Sequence, residues 1–129
     1  MYAAYESCTN LTTAVCGPNV TNMKQAYNNC RNIRGNAYFY SNNLTSALQC
    51  FQSRSSSNRF NIYVHSGTTT HTTVLTDKLV DKVTAITWTD DTATNGCHYN
   101  TYHNIYIYPV ANVEAVRIAN GDPDYMGNM

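Results

Sequence analysis

Two short runs of this chain alternate strictly between apolar side chains and polar or hydroxyl-bearing ones. Within Arg59–His65, Phe60, Ile62 and Val64 are interleaved with Asn61, Tyr63 and His65; within Thr101–Tyr108, Ile105 and Ile107 are interleaved with Tyr106 and Tyr108. A period of two puts each apolar set on one side of an extended backbone, so both runs read as strands with one face turned to a core. Strand N–H and C=O groups need partners, so these two imply a sheet with more members. Ala37–Tyr40, His71–Leu75 and Val83–Thr89 are the next candidates, being rich in aromatic and β-branched residues. Pro109 ends the second run, and Val113–Ile118 reads as its antiparallel return.

Two other segments carry a longer period. Val20, Met23, Tyr27 and Cys30 recur every three to four residues, which predicts an amphipathic helix over Val20–Arg34. Arg31 and Arg34 suit its last turn, and Gly35 suits its end. Ser41, Asn42 and Asn43 offer N-caps for a second helix, with Leu44, Ala47, Leu48 and Phe51 on one face. Tyr2–Val15 reads as a loop or extended hairpin, and Asp77–Lys82 as either one turn of helix or a strand continuation. We find no internal repeat and no linker. At 129 residues, 1–119 reads as a single domain and 120–129, with Gly121, Pro123 and Gly127, as a disordered tail. The expected fold class is α+β: two helices packed on one face of a mainly antiparallel, four- to five-stranded sheet.

Five cysteines, Cys8, Cys16, Cys30, Cys50 and Cys97, are dense for this length, and none forms a CxxC pair. Zinc ribbons and thioredoxin-like motifs are therefore unsupported, and the expected use is a disulfide staple of two bridges with one thiol left over, the pairing open. Only 12% of residues are charged, against about 25% in an ordinary soluble domain. Asn, Thr, Ser and Tyr must then carry solubility, which points to an extracellular setting. Met1 before Tyr2 reads as a start placed before a trimmed, mature N-terminus of a secreted protein. Three sequons, at Asn10, Asn19 and Asn43, are what an Asn- and Thr-rich composition yields by chance. Eight Lys and Arg balance eight Asp and Glu and are scattered, which argues against nucleic acid as a main partner. No apolar run is long enough for a membrane span.

Three kinds of site are open to these residues. The four histidines, His65, His71, His98 and His103, lack the spacing of metal ligands, so neither a metal nor a cofactor is expected. Hydrolysis of a phosphodiester without metal needs a base, an acid and a cation; His65, His103, Glu114 and Arg117 are the residues available for it. The third signal is aromatic. Tyr63, Trp88, Tyr99, Tyr102, Tyr106 and Tyr108 lie on or beside expected strands, and Tyr suits binding surfaces because it joins apolar area to a hydrogen-bonding tip.

Asn29-Cys30-Arg31, followed by the strand Arg59–His65, the segment Thr76–Lys82, Gly96-Cys97 and the strand Asn104–Val110, resembles the KP4-type killer toxins of fungi in its order of elements. Tyr5-Glu6-Ser7-Cys8 before one helix and a sheet is similar to the opening of the ribonuclease-like effectors of powdery mildews. Both resemblances imply a small secreted fungal toxin or virulence effector, and neither carries a catalytic residue over to this chain. The expected function is therefore binding of a target or host protein or surface by a secreted effector- or toxin-like protein. The alternatives are a secreted ribonuclease-like hydrolase and an extracellular structural or assembly subunit.

Overall fold

The computed structural model of the chain describes residues 5, 7, 13–33, 35–66, 74–76, 78–80 and 85–122. Six strands, β1 (Ala14–Cys16), β2 (Gly35–Phe39), β3 (Phe60–His65), β4 (Thr89–Asp91), β5 (Cys97–Asn100) and β6 (Ile105–Val110), form one sheet in the order β1-β2-β3-β6-β5-β4. Two short helices, α1 (Thr92–Asn95) and α2 (Val113–Ala119), accompany it. The two alternating runs are thus adjacent central strands, with Ile62 opposite Ile107 and Tyr63 opposite Tyr108.

The sheet is mixed, and its larger part is parallel, which corrects the expected antiparallel arrangement. The pairs β1–β2, β2–β3 and β3–β6 run parallel; only β6–β5 and β5–β4 are antiparallel. Parallel neighbours require the chain to cross back over a face of the sheet between them. Helices usually do this, and the expected helices at Val20–Arg34 and after Ser41 lie where the crossings run. Neither is a helix. Each is a series of tight turns, with Ala26 donating to the Met23 carbonyl at 3.0 Å and Cys30 to that of Tyr27 at 3.1 Å. Gln25 and Asn29 in the first, Gln49 in the second and Ser53 just after it adopt positive φ of 56° to 68°, which a right-handed helix cannot contain.

These turns stack on one another as strands do. Met23, Gln25, Tyr27 and Asn29 donate backbone hydrogen bonds of 2.8 to 2.9 Å to Ser46, Leu48, Cys50 and Gln52, and Gln49 and Phe51 donate onward to Lys78 and Leu79. On the strand side Ala14 faces Ala37 and Ala37 faces Ile62, so successive coils are 23 and 25 residues long. The chain therefore has a structural repeat: short coils of one strand and one turn segment, stacked like a solenoid and finished by the β4–β5–β6 meander. Few side-chain identities accompany it (Thr21 with Thr45, Gln25 with Gln49), which is why the sequence reads as free of repeats.

The main core lies between the sheet and the turns. Ala14, Cys16, Ala37, Phe39, Phe60, Ile62, Val64, Ile105 and Ile107 come from the strands, while Met23, Ala26, Tyr27, Ile33, Ala47, Cys50 and Phe51 come from the turns. Tyr5, Tyr27 and Phe51 stack along it at 5.0 and 5.7 Å. The disulfide staple is overturned: Cys16, Cys30, Cys50 and Cys97 are buried thiols, not half-cystines, packed as small apolar side chains. Cys8 lies outside the described residues. So do His71 to Thr73 of one expected strand, and Asp77 and Asp81 to Thr84, which leaves the ambiguous segment undecided.

The far side of the sheet, its outer face, has a second apolar cluster. There α2 lays Val113 and Val116 against Val15, Tyr38, Tyr40, Tyr63 and Val110. The expected strand Val113–Ile118 is this helix, because Asn112 caps it by accepting the Ala115 N–H at 3.0 Å. Of the expected tail, Asn120 and Asp122 are hydrogen bonded to the Tyr38 hydroxyl, and 123–129 lie outside the described residues. Among the described residues no helix is long and apolar enough to cross a membrane.

Candidate functional site

Register decides which side chains share the outer face. Val15, Tyr38, Tyr63 and Tyr108 form one row across β1, β2, β3 and β6; Asn36, Asn61, Tyr106, Tyr99 and Thr89 form the next. Tyr38 stacks on Tyr63 at 5.6 Å, Tyr63 on Tyr108 at 5.3 Å and Tyr99 on Tyr106 at 5.8 Å, all near parallel. Helix α2 covers the β2 side of this face and leaves Tyr38 fully buried. No described residue covers the β6–β5 side. It holds a cleft of about 430 Å³ lined by Arg59, Asp91, Asn95, Cys97, Tyr99, Tyr106 and Tyr108.

The strand order gives the cleft its shape. Tyr106 and Tyr108 on β6 and Cys97 and Tyr99 on β5 make the floor. Arg59, next to β3, reaches over Tyr106 to make one wall; Asp91 at the end of β4 and Asn95 of α1 make the other, the backbones of β3 and β4 lying three strand spacings, roughly 14 Å, apart. Arg59 is held from three directions. Its guanidinium lies 3.8 Å from the Tyr106 ring centroid, its Nε donates to Asn61 Oδ1 at 2.9 Å, and a terminal nitrogen donates to the Tyr108 hydroxyl. Asn61 in turn donates to Asn36, which with Tyr38 donates to Asp122. Across the cleft Asn95 donates to Asp91. Burial, with the Asp91 charge beside it, pushes the Cys97 thiol up, so it is a neutral part of the floor. Burial likewise raises the Tyr108 phenol, against the pull of Arg59, and keeps it a hydroxyl.

Stacking takes up ring faces within the rows, and the Arg59 guanidinium takes up one of Tyr106. A ligand here meets hydroxyl groups, one guanidinium, one carboxylate and one amide. That chemistry suits polar recognition. No family model, no curated protein and no solved structure matches this chain. Its function is therefore argued from the site alone.

The structure gathers four of the six aromatic residues singled out in the sequence, Tyr63, Tyr99, Tyr106 and Tyr108. Tyr102 stands apart in the β5–β6 turn, 83% exposed and edge-on to His103. Trp88 lies on the other side of the β4–β5 hairpin, with Thr76, Ile86, Asp90 and His98. Its indole N–H is buried with no hydrogen-bond partner among the described residues. The hydrolytic set is divided. Glu114 and Arg117 pair on α2, where Arg117 and the Tyr40 hydroxyl hold the Glu114 carboxyl below its usual range. His65 ends β3, while His103 precedes β6, so the strand length separates them. Among the described residues no three His, Cys, Asp or Glu gather as metal ligands. Arg59, Asp91, Asn95 and Cys97 were not visible in the sequence as site residues; the last three are neighbours in the β4–α1–β5 hairpin, and the strand order brings Arg59 to them.

Proposed function

We propose that this chain acts by binding a partner protein through the uncovered half of its outer sheet face, with no chemistry of its own. One observation carries the reading: among the described residues a single continuous face is sealed by α2 on one half and left open on the other around Arg59, Tyr99, Tyr106 and Tyr108. Tyr and Arg are the types enriched at interface centres, and here they are already fixed in place by stacking and hydrogen bonds, which lowers the entropy lost on association. The secreted effector or toxin setting belongs to the same proposal and rests on composition; buried thiols lend it no support. Hydrolysis is less favoured, since Glu114 and Arg117 are engaged with each other and with the Tyr40 hydroxyl.

The test is selection of peptides from a displayed random library against the folded protein. Selected peptides are expected to compete with one another and to lose about tenfold or more in affinity for Tyr106→Ala, as truncated interface anchors do. His65→Ala and His103→Ala are expected to change affinity by no more than about twofold. Circular dichroism of each variant ensures that folded protein is compared. Peptides indifferent to Tyr106→Ala, or a histidine change that abolishes binding in a folded protein, would overturn the reading.

A further inference from the structure

Resting on that reading and giving it a ligand, we propose that the cleft receives an acidic side chain, the Asp or Glu carboxylate of a partner protein, at Arg59. The guanidinium is exposed and is held by the Tyr106 ring, by Asn61 and by the Tyr108 hydroxyl, none of which bears a negative charge. Its second terminal nitrogen has no hydrogen-bond partner among the described residues. Nor does any described carboxylate pair with it: the ion pairs among the described residues are Glu114 with Arg117 and Asp90 with His98. In a chain with only eight Lys and Arg, an arginine fixed in three directions and left without an acid is a preformed half of an ion pair.

The opposite wall narrows the choice of anion. Asp91 lines the same cleft, so the site as a whole is close to neutral. A doubly charged phosphate would gain Arg59 but be repelled by Asp91, and among the described residues no second cation lines the cleft to offset that. A singly charged carboxylate held at Arg59 leaves Asp91, already braced by Asn95, to accept from a donor or cation farther along the same segment. The floor between the walls is two strands wide, β6 and β5, which suits an extended stretch of chain with side chains directed to either side. The tyrosine hydroxyls on the floor supply donors to the second carboxylate oxygen or to the backbone of that segment.

Two displayed libraries with the same random flanks, one with Glu and one with Gln fixed at the centre, test this against the folded full chain. The expected result is that cleft binders, recognised by their loss on Tyr106→Ala, come from the Glu library. Exchanging the central Glu for Gln in such a peptide should weaken it about tenfold or more, the usual worth of a charge-assisted contact. Arg59→Gln should weaken the Glu peptide by a similar factor and leave its Gln counterpart unchanged, with Arg59→Lys between the two. If both libraries give equally tight Tyr106-sensitive peptides and Arg59→Gln changes nothing, the acidic assignment falls while the binding surface stands. If neither library gives a Tyr106-sensitive peptide, the binding surface falls and takes the assignment with it. Titration with inorganic phosphate, read on the Arg59 Nε–H resonance against acetate, is the last arm; saturation by phosphate at the lower concentration would overturn the carboxylate in favour of a phosphate site.

Discussion

Cys16 and Cys50 show how far burial alone alters a side chain in this fold. Both are 0% exposed in the core. Burial pushes the Cys16 thiol up to about 12 and raises the Cys50 thiol too, with backbone hydrogen bonding only partly opposing it. Each thiol keeps its proton in the folded chain at a pH where the unfolded chain, near the ordinary value of about 8.5, has lost it. Stability is then level below that value and falls as pH rises toward 12, because the unfolded state binds fewer protons across that window. The expected slope is about 1.4 kcal/mol per pH unit for each such thiol. Denaturant midpoints measured between pH 7 and 10 check it, and Cys50→Ala should flatten the decline. A midpoint that holds constant from pH 8.5 to 10 would show that these thiols are not buried in the folded protein. Mass counting of thiols alkylated in denaturant without reductant establishes the starting point.

The elements that the sequence reveals are those whose period has a single structural meaning. Alternation at Phe60–His65 and Ile105–Tyr108 has one, and both are strands. A spacing of three to four residues has two meanings. Met23, Tyr27 and Cys30 do face the core, as do Leu44, Ala47 and Phe51, yet consecutive i→i+3 turns bring side chains inward at nearly the same interval as a helix. The residues that tell the two apart, Gln25, Asn29, Gln49 and Ser53, take left-handed conformations without being glycine, and of the four only Asn29 is of a type that favours that region. Asn29 gives a test with opposite signs. At its φ of 63°, Asn29→Gly should be at least as stable as Asn29→Ala and by about 1 kcal/mol the better of the two, since a Cβ is what the left-handed region penalises. In a helix the order reverses by a similar amount. Comparing the two variants by urea denaturation reads the conformation at this position directly, and Ala more stable than Gly would restore the helix.

At the scale of the whole molecule, the sheet separates two apolar clusters of unequal size, and the site follows from that division. The tyrosines of the outer face were legible, because alternation placed Tyr63, Tyr106 and Tyr108 opposite the apolar set. The cleft was not, because β3 pairs with β6 and β5 turns back beside it, and an order of strands that departs from chain order leaves no local trace. Nor was the cover: read as a strand, Val113–Ala119 would have extended the sheet, whereas as α2 it hides Tyr38 and Tyr40 and sets where the open half begins. The main core lies on the opposite side and includes no residue of α2. Opening of α2 should therefore be a local event that leaves the stacked coils in place. Val113 is 0% exposed, and Val113→Asp would place a carboxylate against Tyr38 and Tyr40 at a cost that unseating the helix relieves. Amide exchange is expected to lose protection in α2 by about tenfold or more while β3 and β6 stay near their original rates. If α2, β3 and β6 lost protection together, the two clusters would form one cooperative unit, and α2 would be part of the frame and not a cover laid upon it.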